Sequence, residues 1–539
     1  MLSALIFYTL LFIALVVAPA GLILVFLLFL DHEHQLWQRA TPIIWPIGAM
    51  LARMPVIVGL GRRFPRTTAF LVHRFDSGDL WGLPATVAAL GTFSGMWFFL
   101  GVLQDIVAKD PLVTLDVRLH NAVPLFRTTD MTWFMLVLTE LGSSTVLSLL
   151  CLGIVLIALA RNGQRLAATF VLALAATAIL STLLKALIGQ VRPINAMISA
   201  NAASFPSGHL LSGTVMYGLL AALLLSSRAG RSVRALGITL LLLVIIGIGL
   251  SRLYLGVHWP SDLLGSLALA LILLPPLLFF LHYGGRIRWI DTFHTPLSAR
   301  AAYIAGSSAL VIAVGVPAVL ANHARIVSMD PPPTRHSLDI FALRTSLPPD
   351  LPRQSEDLIG GKMEPISLVL VGSEKNLLDG FMHAGWARAD HPTPVRVLQE
   401  GLAALRNLPD PTGPATPAFL ADRPQDLTFE KSDTGTPSIR RRHHTRLWQT
   451  TYCLAPDCRP VWVATASYDV GVGLSQRLHL PTHRIDPVID KERELIVTDL
   501  TDIGARQEGI VTVLPPLHGA NAAGDPFSTD GRAVVLVLP

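Results

Sequence analysis

The residues best suited to chemistry fall in three short polar clusters set between long apolar runs. Lys185 leads to Arg192-Pro193, then comes Pro206-Ser207-Gly208-His209, then Ser251-Arg252 with His258 and Asp262. Ionisable groups beside such runs are rare and usually functional. A phosphate ester resists hydrolysis because its anionic oxygens repel nucleophiles. Its cleavage needs cations and N–H donors fixed around those oxygens, a nucleophile in line, and an acid for the leaving oxygen. Each part has a candidate here. Arg192 offers a planar fork, Lys185 a point charge, and Arg252 a third cation. Ser207 suits a helix N-cap, Gly208 lets the backbone come close to a ligand, and the free N–H groups of that helix end favour an anion. His209, beside the bound phosphate, can protonate the leaving oxygen. Asp262, four residues after His258, can hold one ring nitrogen and leave the other free to attack phosphorus. Ser207 is the competing nucleophile. Singly, each cluster reads as well as a helix cap, a snorkelling lysine or an interfacial histidine. Jointly, their order and chemical complement fit one pocket.

The elements that must position these residues are membrane helices. Mean hydropathy is +0.53, and only 15% of the 539 residues are charged, as in a membrane protein. Apolar stretches long enough to span occur at Leu2–Leu30, Pro84–Val107, Thr132–Ala160, Leu166–Leu184, Leu210–Leu225, Ala235–Leu250, Leu263–His282 and Ala301–Leu320. That predicts about eight spans. The first is too long for a signal peptide and lacks a basic start. The stretch from His32 to Arg74 reads as interfacial.

Two crossings separate the second cluster from the third, so all three share one membrane face. The other face receives Arg62, Arg63, Arg66 and Arg74, then Arg161 and Arg165, then Arg228, Arg231 and Arg234, then Arg286 and Arg288. The positive-inside rule makes that face cytoplasmic and explains the net charge of +5 without nucleic acid. Lys109, Arg118 and Arg127 run against the assignment, although Asp110, Asp116 and Asp130 accompany them. The clusters, and everything after the last span, then face outward. Cys151 reads as a packing residue, whereas Cys453 and Cys458 flank a turn-like insert that suits a disulfide in an oxidising compartment.

The pattern Lys, six residues, Arg-Pro; Pro-Ser-Gly-His; Ser-Arg, five residues, His, three residues, Asp resembles the type 2 phosphatidic acid phosphatase superfamily, which shares its core with vanadium haloperoxidases. Every fixed position is present, within about residues 80–285. The resemblance implies that His258 is a nucleophile forming a phosphohistidine, His209 the acid and Asp262 its orienter. Lys185, Arg192, Ser207, Gly208 and Arg252 would hold the phosphate, with no metal or other cofactor. It implies a lipid phosphate or pyrophosphate substrate reached from the bilayer of a bacterial inner membrane. Expected substrates are an isoprenoid pyrophosphate, phosphatidylglycerol phosphate or phosphatidate. A lipid phosphotransferase, or a secretion scaffold with a degenerate core, is the alternative.

Beyond Pro331-Pro332-Pro333 the chain turns polar and predicts a soluble α/β or α+β domain. Expected strands are Ile366–Gly372, Arg446–Thr450, Val461–Ala466 and Ala533–Leu538, with a helix at Glu374–Ala387. The resulting division is 1–79 for the N-terminal span and interfacial segment, 80–285 for the phosphatase-like core, 286–333 for the last span and linker, and 334–539 for the outer domain. Gly385-Trp386, then His444, Arg446 and Trp448, and Thr482-His483-Arg484-Ile485-Asp486 with Asp490 and Arg493 resemble the LssY-like C-terminal domain. That resemblance implies no catalytic role. His444, Arg446 and Trp448 would share a strand face. His483, Asp486 and Asp490, with Asp469, would form a metal or second phosphate site, or else a helix cap with surface ion pairs. Arg440-Arg441-Arg442 reads as solvated loop charge or a contact for anionic headgroups.

Overall fold

A computed structural model of the chain describes residues 62–282 and 335–539, with 315 and 317. Within these it omits 77–78, 110, 160–162, 195, 199–201, 228, 391–395, parts of 397–411, 433–440 and 475–480. The expected span at Leu2–Leu30 lies outside the described residues, as do that at Ala301–Leu320 apart from 315 and 317, most of the interfacial stretch, Arg161, Arg228, Arg286, Arg288, Asp110, Arg440 and the Pro331 linker.

The helical part opens with α1 (Pro65–His73) and α2 (Leu83–Ala108), followed by α3 (Pro111–Ala122), α4 (Thr129–Glu140) and α5 (Ser144–Leu159). It continues through α6 (Gln164–Ile188), α7 (Gly208–Leu225), α8 (Arg231–Tyr254) and α9 (Pro260–His282). Among the described residues, α2, α6, α7, α8 and α9 are long and apolar enough to cross a membrane, and α4 with α5 makes six if that pair is one span. The chain is a multi-pass membrane protein. The expected single span at Thr132–Ala160 is instead two helices bent by 44°. Gly142 lies in the break, where an added Cβ would stand 3.0 Å from the His209 carbonyl oxygen. Helices α7 and α9 are the most enclosed, with 67% and 61% of their apolar windows buried, against 17% for α6. Apolar side chains such as Phe93 and Trp97 on α2 and Ile179 and Leu187 on α6 point outward, as lipid-facing surfaces do.

A second compact unit joins Pro111–Arg127 to the C-terminal residues. Its main sheet has nine strands: β1 (His336–Leu338), β2 (Leu368–Val371), β3 (Ala387–Arg388), β4 (Leu427–Ser432), β5 (Arg442–Leu454), β6 (Arg459–Leu474), β7 (Pro481–Ile485), β8 (Arg506–Thr512) and β9 (Arg532–Val537). The order is β8-β9-β2-β6-β5-β4-β3, with β1 on β5 and β7 on β6. Helices accompanying it include α10 (Ile340–Thr345), α11 (Glu374–His383) and α12 (Asp490–Asp502). One face buries Leu368, Leu370, Trp462 and Leu447 together with Leu377 and Phe381 of α11 and Ile496 and Leu500 of α12. The other buries Val369, Val371, Trp448 and Val463.

Each expected strand exists, but β5 and β6 run well past the expected Arg446–Thr450 and Val461–Ala466. The helix expected over Glu374–Ala387 stops at His383, and Gly385 at φ +82° turns the chain into β3. Ser373 caps it with a reciprocal Asn376 contact. Cys453 and Cys458 are joined by a disulfide, and Cys151 is free and buried. In this same unit Arg118 of α3 pairs with Glu356 and, at 2.7 Å, with Asp422.

Candidate active site

Three segments converge where α6 ends, α7 begins, and α8 hands over to α9. Helix α6 stops at Gly189, whose φ of +64° suits a residue without a Cβ. Lys185, one turn earlier, donates its Nζ to the carbonyls of Ala203 at 2.7 Å and Ser204 at 3.3 Å. Arg192 donates Nε to Ala202 O at 2.6 Å and Nη1 to Val257 O at 2.6 Å. It therefore staples the turn before α7 to the turn before α9. Trp259 adds an indole bond to Val191 O at 2.8 Å.

Pro260 opens α9 in its first turn, where a missing N–H costs nothing. Asp262 is fully buried there. Its Oδ2 accepts the Trp259 N–H at 2.9 Å and lies 3.0 Å from His258 Nδ1, and its Oδ1 accepts Ser204 Oγ at 3.3 Å. A carboxylate only accepts, so Nδ1 carries the proton and Nε2 keeps its lone pair. Arg192 Nη1 lies 3.5 Å from that Nε2. His258 is 2% exposed. Burial first, then the charges of Arg252, Arg192 and Lys185, push its pKa well below the ordinary imidazole value. The ring is neutral at pH 7.

Ser207 occupies the N-cap position of α7, yet its side chain makes no capping bond. Its Oγ is buried and has no hydrogen-bond partner among the described residues. Its carbonyl accepts Ser266 Oγ at 3.1 Å. An added Cβ on Gly208 would approach Ser181 Oγ at 3.2 Å. His209 is half-buried, and the charges of Arg252, Arg192 and Lys185 all reach it. Arg252 is buried, gives Nη1 to Thr139 Oγ1 at 2.6 Å, and keeps an Nε–H with no hydrogen-bond partner among the described residues.

The three clusters thus meet in one neighbourhood, with two polar groups, Ser207 Oγ and Arg252 Nε, still unspent. Unspent buried donors are costly unless a ligand takes them. Sequence reasoning missed Ser204 and Thr139, which brace Asp262 and Arg252 across 58 and 113 residues. No local signal marks such contacts.

The residues singled out in the C-terminal unit divide. His444, Arg446 and Trp448 lie on alternate positions of β5, and Arg446 Nη1 is 3.0 Å from His444 Nε2. Asp469 meets His444 and His483, each at 3.3 Å. Asp486 and Asp490 do not join them, and the alternative of a helix cap with ion pairs describes these two better. Asp486 Oδ1 accepts the Val488 N–H at 2.8 Å, and Asp490 accepts Thr529 Oγ1 and the Asp530 N–H, both at 2.7 Å. Turn and helix-start donors claim both carboxylates first.

Polytopic helices around such a constellation suit the cleavage of phosphate esters at a membrane. Residues 166–286 match the PAP2 superfamily and residues 349–533 match the LssY C-terminus. The chain carries both domains. It is 28% identical over 193 residues to phosphatidylglycerophosphatase B of Bacillus subtilis (strain 168), covering 35% of this chain and 92% of that protein. The crystal structure of the first transmembrane PAP2 type phosphatidylglycerolphosphate phosphatase from Bacillus subtilis is 25% identical. It covers 36% of this chain and 100% of that one, with a TM-score of 0.34.

Proposed function

We propose that the chain removes phosphate from a membrane lipid phosphate at the outer face of a bacterial inner membrane, through a phosphohistidine at His258. The observation carrying this is the buried Asp262–His258 pair, with Nδ1 held at 3.0 Å and Nε2 beside Arg192. Nε2 attacks phosphorus, the bond to the lipid oxygen breaks, and His209 gives that oxygen a proton. Water then attacks the phosphohistidine, His209 takes its proton, and inorganic phosphate leaves. Lys185, Arg192, Arg252, Ser207 and the Gly208 N–H bind the phosphate oxygens.

Phosphatidylglycerol phosphate is the first substrate to test, because the similar Bacillus protein is named for that activity. An isoprenoid pyrophosphate is the second, since the proposed phosphate-binding groups would see only the phosphate. Outward orientation is supported by the Cys453–Cys458 disulfide, which needs an oxidising compartment. We take residues 80–285 as the catalytic core and 334–539 as the outer domain. The test is phosphate release from both lipids by the purified chain and its His258→Ala variant. Release should fall at least about a thousandfold with the protein still folded; retained release would refute the nucleophile.

A further inference from the structure

The C-terminal unit holds a second polar pocket that phosphate removal does not use. It is a small cavity of about 50 Å³, open to solvent, and Glu430, Arg442, His444, Arg446, Asp469 and His483 form much of its wall. Strand register explains the gathering. Side chains at alternate positions share a sheet face. Across β5 and β6, Trp448 pairs with Val463, Arg446 with Thr465, His444 with Ser467, and Arg442 with Asp469. One face therefore changes from an apolar core to a row of charges within a few residues. On β4, Glu430 stands opposite His444. Burying such charges costs several kcal/mol each before pairing returns any of it, roughly, and their retention beside a cavity marks a functional candidate.

The groups differ in how far they are satisfied. Arg442 is paired with Glu430 at 2.6 Å and approaches Asp469 at 3.5 Å. Burial pushes His483 down to about 3, more than the neighbouring Asp469 raises it, so this ring is neutral. Arg446 keeps a buried Nε–H without a hydrogen-bond partner among the described residues. Asp525, also in the lining, is 1% exposed; its Oδ1 pairs with Arg484 at 3.2 Å, while its Oδ2 has no hydrogen-bond partner among the described residues. The lining thus offers several unspent polar atoms: Arg446 Nε–H and Asp525 Oδ2, with Asp469 Oδ1 and His483 Nδ1 also lacking a hydrogen bond among the described residues. A simple anion would meet Asp469, Glu430 and Asp525. A simple cation would meet Arg442 and Arg446, and no group of three metal-ligating side chains is arranged for a metal among the described residues. Hydroxyl groups both donate and accept, and carry no charge.

We propose that this pocket binds a polyhydroxylated, uncharged ligand, a saccharide or similar polyol, with Asp525 and Arg446 among the groups that hold it. Purified full-length protein in detergent would be applied to an array of bacterial mono- and oligosaccharides, with inorganic phosphate, phosphoethanolamine and calcium as separate probes. The expected result is saturable binding of at least one saccharide. Asp525→Asn and Arg446→Gln should each weaken it at least about tenfold, the loss expected for one charge-assisted hydrogen bond, with thermal unfolding showing each variant folded. Hydrogen exchange on the wild-type protein gives a second reading that needs no variant. The captured saccharide should protect residues 442–446, 467–469 and 521–525. Binding of no saccharide, binding of only a charged probe, protection confined to other residues, or unchanged affinity in both folded variants would overturn the proposal.

Discussion

His258 combines burial with three nearby cations, and that combination sets a pH dependence. A protonated imidazole cannot attack phosphorus. Burial, then Arg252, Arg192 and Lys185, hold the ring's pKa below its ordinary value of about 6.5. The neutral form therefore persists as pH falls past about 6.5 and is lost only further down. The acid limb of kcat/KM, corrected for ionisation of the substrate, should lie below that value. A limb above it would mean that the cations do not act on the nucleophile. The His258–Asp262 pairing was legible in the sequence because the two residues are four apart at a helix start. The brace of Arg252 by Thr139 was not, because it depends on how α8 packs on α4. Ser207 shows the limit of position-based reading: it stands where a cap stands, yet leaves its hydroxyl unspent.

At the scale of elements, α7 and α9 present the second and third clusters from the enclosed centre of the bundle. Their spacing depends on Phe205, which is fully buried against α9 at Gly265. A Cβ added at Gly265 would fall 2.3 Å from the Phe205 ring, so Gly265→Ala must displace the turn that carries Ser207. Overpacking of this kind costs about 1–3 kcal/mol. The variant should show a lower Tm in detergent together with reduced phosphate release. An unchanged Tm with full release would show that the ring yields freely. Hydropathy identified these helices because their apolar runs are long. It missed the bend at Leu141-Gly142-Ser143, because averaging over a span smooths a three-residue break. In the sheet, β5 opens with Arg442-His443-His444-Thr445-Arg446, and so polar a run hides a strand that tertiary contacts bury.

For the whole molecule, Arg118 is paired within its own compact unit. It runs against the positive-inside reading of its loop, and its guanidinium is buried against Glu356 and Asp422. Partners 238 and 304 residues away cannot be read from local sequence. Because both acids keep some exposure, the pairing is intermediate between surface and buried ion pairs, worth about 1–3 kcal/mol. Arg118→Met should make the segment around residues 111–127 more susceptible to limited proteolysis. Equal susceptibility would mean that the pairing does not hold it. The central claim, covalent catalysis by His258, is tested most directly by trapping the intermediate on the intact chain. Purified protein would be mixed with radiolabelled phosphatidylglycerol phosphate or isoprenoid pyrophosphate and quenched within one turnover. Label on the protein that is lost in acid, survives alkali and is absent from His258→Ala is the predicted result. Label that survives acid and disappears in Ser207→Ala instead would contradict it.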